Sequence, residues 1–287
     1  MIEKKQNIKL QKKLHSYVRA GIQILFFLWL PSAFTTAFSG VKTIFTQIGR
    51  GEAIELSAFV SVLIVLSIYT FVFGRFFCGY ACAFGSLGDA MHALYRFVCK
   101  KCKKRPVQIP SEWKARFSFV KYVVLLAIVL LCFGGVYGGT GKYSPWEVFS
   151  MLTAGNFKLN GHVIGICLLV LILVGMAVCE RFFCRFLCPM GAVFSMLPVI
   201  PLFAARRNRE ECIKGCSGCQ RNCPSDIALP DTDSWEVKGD CFMCQKCMDV
   251  CPKGNVKSGR LPWKGNAIWF TLLRAALLAA LLIWIGV

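Results

Sequence analysis

The chain has 287 residues, of which 56% are hydrophobic and 17% charged, with 34 Lys and Arg against 15 Asp and Glu, 24 Phe and 17 Cys. An apolar fraction above the roughly 45–50% of soluble domains excludes an ordinary water-soluble globule, and so rich an aromatic content excludes a disordered chain. A disulfide scaffold is also disfavoured, because that solution belongs to short secreted chains that cannot build a core.

A bilayer-crossing helix needs about 20 mostly apolar residues, and the sequence predicts five: 17–38, 53–73, 117–136, 162–179 and 266–287. The first has a basic lead-in, but its apolar run exceeds that of a secretory signal, so it reads as an uncleaved anchor. Residues 1–19 hold 6 Lys and Arg, residues 84–121 hold 9 and residues 181–264 hold 13, whereas the loops 39–52 and 139–161 hold 4 between them. The positive-inside rule then places the N-terminus and the 84–121 and 181–264 segments in the cytoplasm of a cell with this protein in its inner membrane, and Val287 outside. The net charge of +19 is accounted for by topology and attraction to anionic lipid. Spread over several membrane-flanking segments, it does not suggest a nucleic-acid partner.

Residues 74–90 and 180–196 share six identities at a constant offset of 106: Arg75/Arg181, Phe76/Phe182, Phe77/Phe183, Cys78/Cys184, Cys82/Cys188 and Gly85/Gly191. Each copy ends an inward helix with Cys-x3-Cys, so the sequence predicts two helix pairs repeated in parallel. After them, Phe84–Val98 and Met190–Ala205 read as interfacial segments broken at Gly85, Gly88, Pro198 and Pro201. On a continuing helix each i,i+4 pair would show both sulfurs on one face. Cys78, Cys82, Cys184 and Cys188 then admit three readings: a shared metal or cluster site, redox-active dithiols, or packed apolar side chains.

Between the fourth and fifth stretches lie two further cysteine runs. Cys241-x2-Cys244-x2-Cys247-x3-Cys251-Pro252 has the spacing of a bacterial two-cluster ferredoxin. Cys212-x3-Cys216-x2-Cys219-x3-Cys223-Pro224 departs from it by one extra residue. The crossed arrangement of that pattern assigns Cys212, Cys216, Cys219 and Cys251 to one 4Fe-4S cluster, and Cys241, Cys244, Cys247 and Cys223 to the other. Structural zinc is the competing reading, but it needs no crossed fourth ligand.

Duplicated helix pairs ending in FFCxxxC, followed by a two-cluster ferredoxin segment, resemble the membrane polyferredoxins of the NapH and NosR group. The likeness runs from about Tyr17 to Pro252; FFCxxxCP is intact at Cys184–Pro189, whereas Ala83 replaces the proline in the first copy. The resemblance implies an electron-transfer subunit of a quinol dehydrogenase, with quinol or quinone as exchangeable substrate and the quinone pool and a partner redox protein or reductase as partners. An alternative is an iron–sulfur regulator or maturation factor for a respiratory membrane enzyme.

The implied fold class is an all-α polytopic membrane bundle carrying a small cytoplasmic two-cluster ferredoxin-like α+β module. Its expected divisions are membrane repeat 1 at 1–98, a basic linker at 99–116, membrane repeat 2 at 117–205, the two-cluster domain at 206–264 and a last helix at 265–287.

Other reactive side chains receive plainer expectations. Cys99 and Cys102 read as an incidental pair, with a zinc site shared with Cys78 and Cys82 as the alternative. Cys132, Cys167 and Cys179 read as core. His15, His92 and His162 are too scattered to ligate haem. Arg274, inside the last apolar stretch, is expected to snorkel to the nearer surface. Glu147, beside Trp146, is an interfacial residue that a quinol site would use as proton acceptor.

Overall fold

The computed structural model describes residues 2–107, 109–157, 159–200, 202–258 and 267–286. The first apolar stretch is divided at Pro31. Helix α1 (Ile2–Trp29) stops before it and α2 (Ala33–Arg50) starts after it, with their axes bent by 62°. Proline lacks the N–H that would continue the ladder and its ring crowds the preceding turn. In place of the straight crossing expected over 17–38 there is a bent helix pair.

Helix α3 (Ala58–Phe73) begins where the Ser57 hydroxyl accepts a hydrogen bond from the Val60 N–H at 3.4 Å, and ends at Gly74, whose φ of 69° suits glycine. Gly40 of α2 lets α3 approach closely, since a Cβ there would overlap the Phe59 carbonyl and meet the Leu63 Cβ at 3.0 Å. Helix α4 (Ala83–Lys101) is continuous. Gly85 and Gly88 do not break it, contrary to the sequence expectation; Gly88 instead admits Met176 of a facing helix, which an added Cβ would meet at 3.4 Å.

Helices α5 (Ser111–Phe117) and α6 (Val120–Phe133) form a nearly continuous apolar rod. Short helices α7 (Tyr137–Thr140) and α8 (Pro145–Thr153) lead to α9 (Val163–Val178) and α10 (Pro189–Met196). Strand β1 (Ala205–Arg207), helices α11 (Gly218–Arg221) and α12 (Lys246–Val250), strand β2 (Val256–Ser258) and helix α13 (Ala267–Ile285) complete the chain. The strands pair antiparallel, Ala205 opposite Ser258 and Arg207 opposite Val256.

The protein is thus mostly helical. Among the described residues, Ser111–Phe133 and Ile268–Ile285 are long and apolar enough to cross a membrane, and the bent pair makes a third if counted as one span. Helices α3 and α9, with 16 residues each, reach only ~24 Å, short of a hydrocarbon core of about 30 Å. The interior is aromatic: Phe84 lies 4.0 Å from Phe149, 4.5 Å from Phe183 and 5.2 Å from Phe34, ring centre to ring centre. Outside, Phe119 at the start of α6 and Val123, Leu126 and Leu130 within it, Leu171 and Val174 of α9, and Trp269, Leu273 and Trp284 of α13 are exposed. So large an apolar surface suits lipid better than water.

Candidate functional site

The two Arg-Phe-Phe-Cys-x3-Cys segments fold alike. Each contains a π-helical turn, Phe77–Ala81 after α3 and Phe183–Leu187 after α9. In each, the second cysteine's N–H reaches back five residues to a phenylalanine carbonyl, Cys82 to Phe77 and Cys188 to Phe183, both at 2.9 Å. The chain then becomes extended at that cysteine, with φ and ψ of −68° and 121° at Cys82 and −72° and 115° at Cys188, which caps the following helix. The first and second cysteines therefore flank a π-turn and do not share the face of a continuing α-helix.

Thiol sulfur at a helix N-terminus meets unpaired N–H groups and the positive end of the dipole. Cys188 Sγ accepts from the Gly191 N–H at 3.2 Å. Glycine is required there in both copies, because an added Cβ would stand 2.8 Å from the Cys78 carbonyl at Gly85 and 2.9 Å from the Cys184 carbonyl at Gly191.

The duplicated arginines cross between the copies. Arg181 is fully buried and donates to the Cys78 carbonyl, to the Gly79 carbonyl at 2.8 Å and to both Asp89 oxygens at 3.2 and 2.7 Å. Arg75, equally buried, lies against Gly191 of the second copy and shares Asp240 with Lys121. Both guanidiniums stack on Phe242, at 4.7 Å for Arg75 and 5.2 Å for Arg181. Burial raises the Asp89 pKa, but Arg181 and Lys246 outweigh it and hold the carboxyl well below the usual carboxylate range.

Cys78, Cys82, Cys184 and Cys188 are all buried and within electrostatic reach of one another. Burial, followed by repulsion from neighbouring thiolates, pushes Cys82 and Cys188 well above the ordinary thiol range. Cys184 is pushed up to about 12 by burial, against the pull of Arg181.

Of the eight cysteines beyond Ala205, Cys223, Cys241, Cys244 and Cys247 act on each other's charge. Burial pushes Cys241 up to about 11 and Cys244 up to about 12, and raises Cys223 and Cys247 as well. Cys219 and Cys251 pack with Cys247 and Met248 around Ala205, Leu229 and Val256, against the strand pair. Cys212 is half-buried and Cys216 exposed. Among the described residues, no group of three or more His, Cys, Asp or Glu side chains is gathered tightly enough to ligate a single metal ion.

The second cysteine run is bolted to the bundle. A Cβ on Gly79 would overlap the Phe242 carbonyl, so the loop bearing Cys241 and Cys244 rests directly on the first π-turn. The side-chain oxygen of Gln245 meets His15 Nε2 at 2.6 Å, Thr271 Oγ1 at 2.9 Å and Tyr80 Oη at 3.2 Å. His15 Nδ1 meets Asp249 at 2.7 Å, and Arg19 lies 3.5 Å from the same carboxylate. Lys12 donates to the Cys251 carbonyl. Sequence pattern assigns His15 no role, because its partners lie 230 and 234 residues away.

A groove of about 680 Å³ runs between α1 and α4 and ends at α12, which carries Cys247. Its apolar wall includes Ile24, Phe27, Leu28 and Leu87; its polar end includes Arg19, Asp89, His92, Arg96, Glu180, Lys246 and Asp249.

Several sequence expectations are corrected. Cys99 stands 17 residues beyond Cys82, ~25 Å along continuous α4, so the two cannot share a zinc site. Arg274 does not snorkel: it is buried between Phe270 and Phe76, at 4.3 and 4.9 Å, with Nη1 and Nη2 lacking hydrogen-bond partners among the described residues. Cys132 and Cys179 are buried, but Cys167 is exposed. His162 is half-buried, and Glu147 lines a hollow of about 120 Å³ with Lys42 and Trp146.

A family model described as a 4Fe-4S binding domain matches residues 55–102 and again 161–204. An uncharacterised protein of Methanocaldococcus jannaschii is 31% identical over 192 residues, 67% of this chain and 67% of its own. The regulatory protein NosR of Pseudomonas aeruginosa is 26% identical over 70% of this chain and 29% of its own. The ferredoxin-type protein NapH of Escherichia coli is 26% identical over 71% of this chain and 69% of its own. No solved structure matches significantly. Two cysteine-bearing matches to one 4Fe-4S model, a mostly helical apolar architecture and these relatives agree that the chain belongs to the NapH- and NosR-like family of membrane-associated 4Fe-4S electron-transfer proteins.

Proposed function

We propose that this iron–sulfur protein exchanges electrons between the quinone pool and a partner redox protein at the cytoplasmic face of the inner membrane. In this reading, 1–98 and 117–205 are parallel membrane repeats joined by the basic linker 99–116, and 206–264 is a cytoplasmic two-cluster ferredoxin-like domain. The last crossing, 265–287, then leaves the C-terminus outside. The shared π-turns and the double family match support the duplication.

Cys212, Cys216, Cys219 and Cys251 would hold one 4Fe-4S cluster, and Cys223, Cys241, Cys244 and Cys247 the other. Support comes from the mutual influence of the latter four, and from the small core that gathers Cys219 and Cys251, with Cys247 of the other set, against the strand pair. The donor set fits in kind, being all thiol, as 4Fe-4S clusters require. Such clusters, when bound, supply one-electron redox chemistry.

The observation that carries the quinone reading is the groove between α1 and α4. Its size lies within the usual range of small-molecule sites. Leu28 and Ile24 open its apolar side outward, as an isoprenoid tail requires. At its polar end Arg19, Arg96 and Lys246 are balanced by Asp89, Glu180 and Asp249, which suits a neutral ring better than an anionic phosphate. His92 Nδ1–H donates to the Ala177 carbonyl at 2.9 Å, which leaves Nε2 as an acceptor for a quinol hydroxyl. Burial lowers the His92 pKa, which favours the neutral ring.

A second reading, redox regulation or enzyme maturation without quinol turnover, is favoured by the relation to NosR, which is named a regulatory protein. Addition of a reduced quinol analogue to anaerobically purified protein is expected to produce a reduced-cluster EPR signal. His92→Ala should weaken binding of that analogue about fivefold, the worth of a hydrogen bond of ~1 kcal/mol. Clusters that neither accept electrons from quinol nor donate them to quinone would sink the proposal in favour of the second reading.

A further inference from the structure

We infer that Cys78, Cys82, Cys184 and Cys188 together hold one iron–sulfur cluster, shared between the two membrane repeats and charge-balanced by Arg75 and Arg181. This centre is additional to the two assigned to the eight distal cysteines, and it does not depend on quinone exchange. The donor set is complete within the fold: two thiols arrive from each π-turn, and all four are buried. Each second cysteine stands at a helix N-cap, with the Cys188 sulfur bonded to the Gly191 N–H, and the helix dipole there offsets part of the cost of burying a thiolate.

The arginines distinguish a cluster from simple packing. Thiols that merely fill space need no cations, yet two guanidiniums are buried among them. Arg75 acts on Cys78, Cys184 and Cys188, and Arg181 on Cys82 and Cys184. Nε and Nη2 of Arg75 have no hydrogen-bond partner among the described residues. A buried donor left unpaired costs about 1–3 kcal/mol, more when charged. An iron–sulfur core held by four thiolates keeps net negative charge and presents sulfide and thiolate acceptors to those N–H groups. Asp89 answers Arg181 and Asp240 answers one nitrogen of Arg75, and a cluster anion would answer the two Arg75 nitrogens left over.

The other chemistries fit less well. Exchange-active dithiols need access for a partner thiol, whereas all four side chains are at most 6% exposed. A tetrahedral zinc draws four ligands onto one ion, but no three of these groups are gathered that closely. A cluster core, bearing its ligands at separated iron atoms, suits the wider spacing.

The location adds a consequence. Phe242, from the loop that bears Cys241 and Cys244, is stacked on both arginines, and Arg181 acts on Cys184 and on Cys244. The four-cysteine centre therefore lies at the junction of bundle and distal cysteine segment.

The test is iron and acid-labile sulfide per chain with Mössbauer and EPR spectra, on anaerobically prepared full-length protein. Wild type should contain more iron than two 4Fe-4S clusters hold. Cys78→Ser/Cys184→Ser should lose one cluster's worth of iron and its spectral component while the remaining signals persist. Arg75→Gln, which keeps all thiols, should retain the iron and shift the potential of that component alone to more negative values. If the double variant does not fold, the wild-type iron count and the Arg75→Gln titration decide. Iron equal to two clusters in wild type, unchanged iron in a folded double variant, or stoichiometric zinc in its place would overturn the inference.

Discussion

Arg181→Met is expected to lower stability by about 3 kcal/mol, the low end of the cost of breaking a buried ion pair. Its guanidinium is fully buried, doubly bonded to Asp89 and bonded to two carbonyls of the first π-turn. Methionine fills similar volume but leaves Asp89 with Lys246 and Gln23 alone. Because the Asp89 carboxyl is depressed in the folded state, its stabilisation is fully present above pH ~4, the ordinary carboxylate value, and is lost as pH falls toward the lowered one. Unfolding in detergent should therefore show the stability gap between wild type and Arg181→Met narrowing as pH falls below ~4. Adding Asp89→Asn to the variant should recover part of the loss. A cost below about 1 kcal/mol, or no change in acid sensitivity, would mean that the pair contributes little net stability.

Gly79→Val should detach the second cysteine run from the bundle. The new Cβ would occupy the position of the Phe242 carbonyl and stand 3.5 Å from the Cys244 nitrogen, both backbone groups that cannot rotate away. Overpacking of this kind costs typically 1–3 kcal/mol. It falls on the contact that seats Phe242 beneath Arg75 and Arg181. Limited proteolysis should become faster between Ala205 and Ser258 while the helical circular dichroism of the bundle is retained, and bound iron should fall. Wild-type protease resistance would show that the loop relocates without loss.

Helical, membrane-associated character is legible from composition and hydropathy alone, and cysteine spacing with the repeated FFCxxxC leads to the right family. The geometry around those cysteines is less accessible. An i,i+4 spacing looks the same whether the intervening turn is α or π, and only the backbone shows Cys82 and Cys188 leaving the helix to cap the next one. Arg75 and Arg181 stand out as duplicated identities, but nothing local says that each crosses to the other copy. Arg274 resembles a snorkelling residue because hydropathy weighs it against lipid, whereas the rings of Phe76 and Phe270 enclose it. Pro31 carries the clearest local signal of the bend, and apolar residues on both sides of it conceal the break.

The fastening of α1 to Gln245 and Asp249 bears on how the protein is made. His15 leaves the ribosome before its acceptors, the first of which follows 230 residues later, on the order of ten to fifty seconds at ordinary elongation rates. During that interval α1 carries His15 and Arg19 without these acceptors. Translation thus completes the helices that α1 packs against before it makes the segment that fastens α1, so docking of the distal cysteine run is the last of these contacts to form.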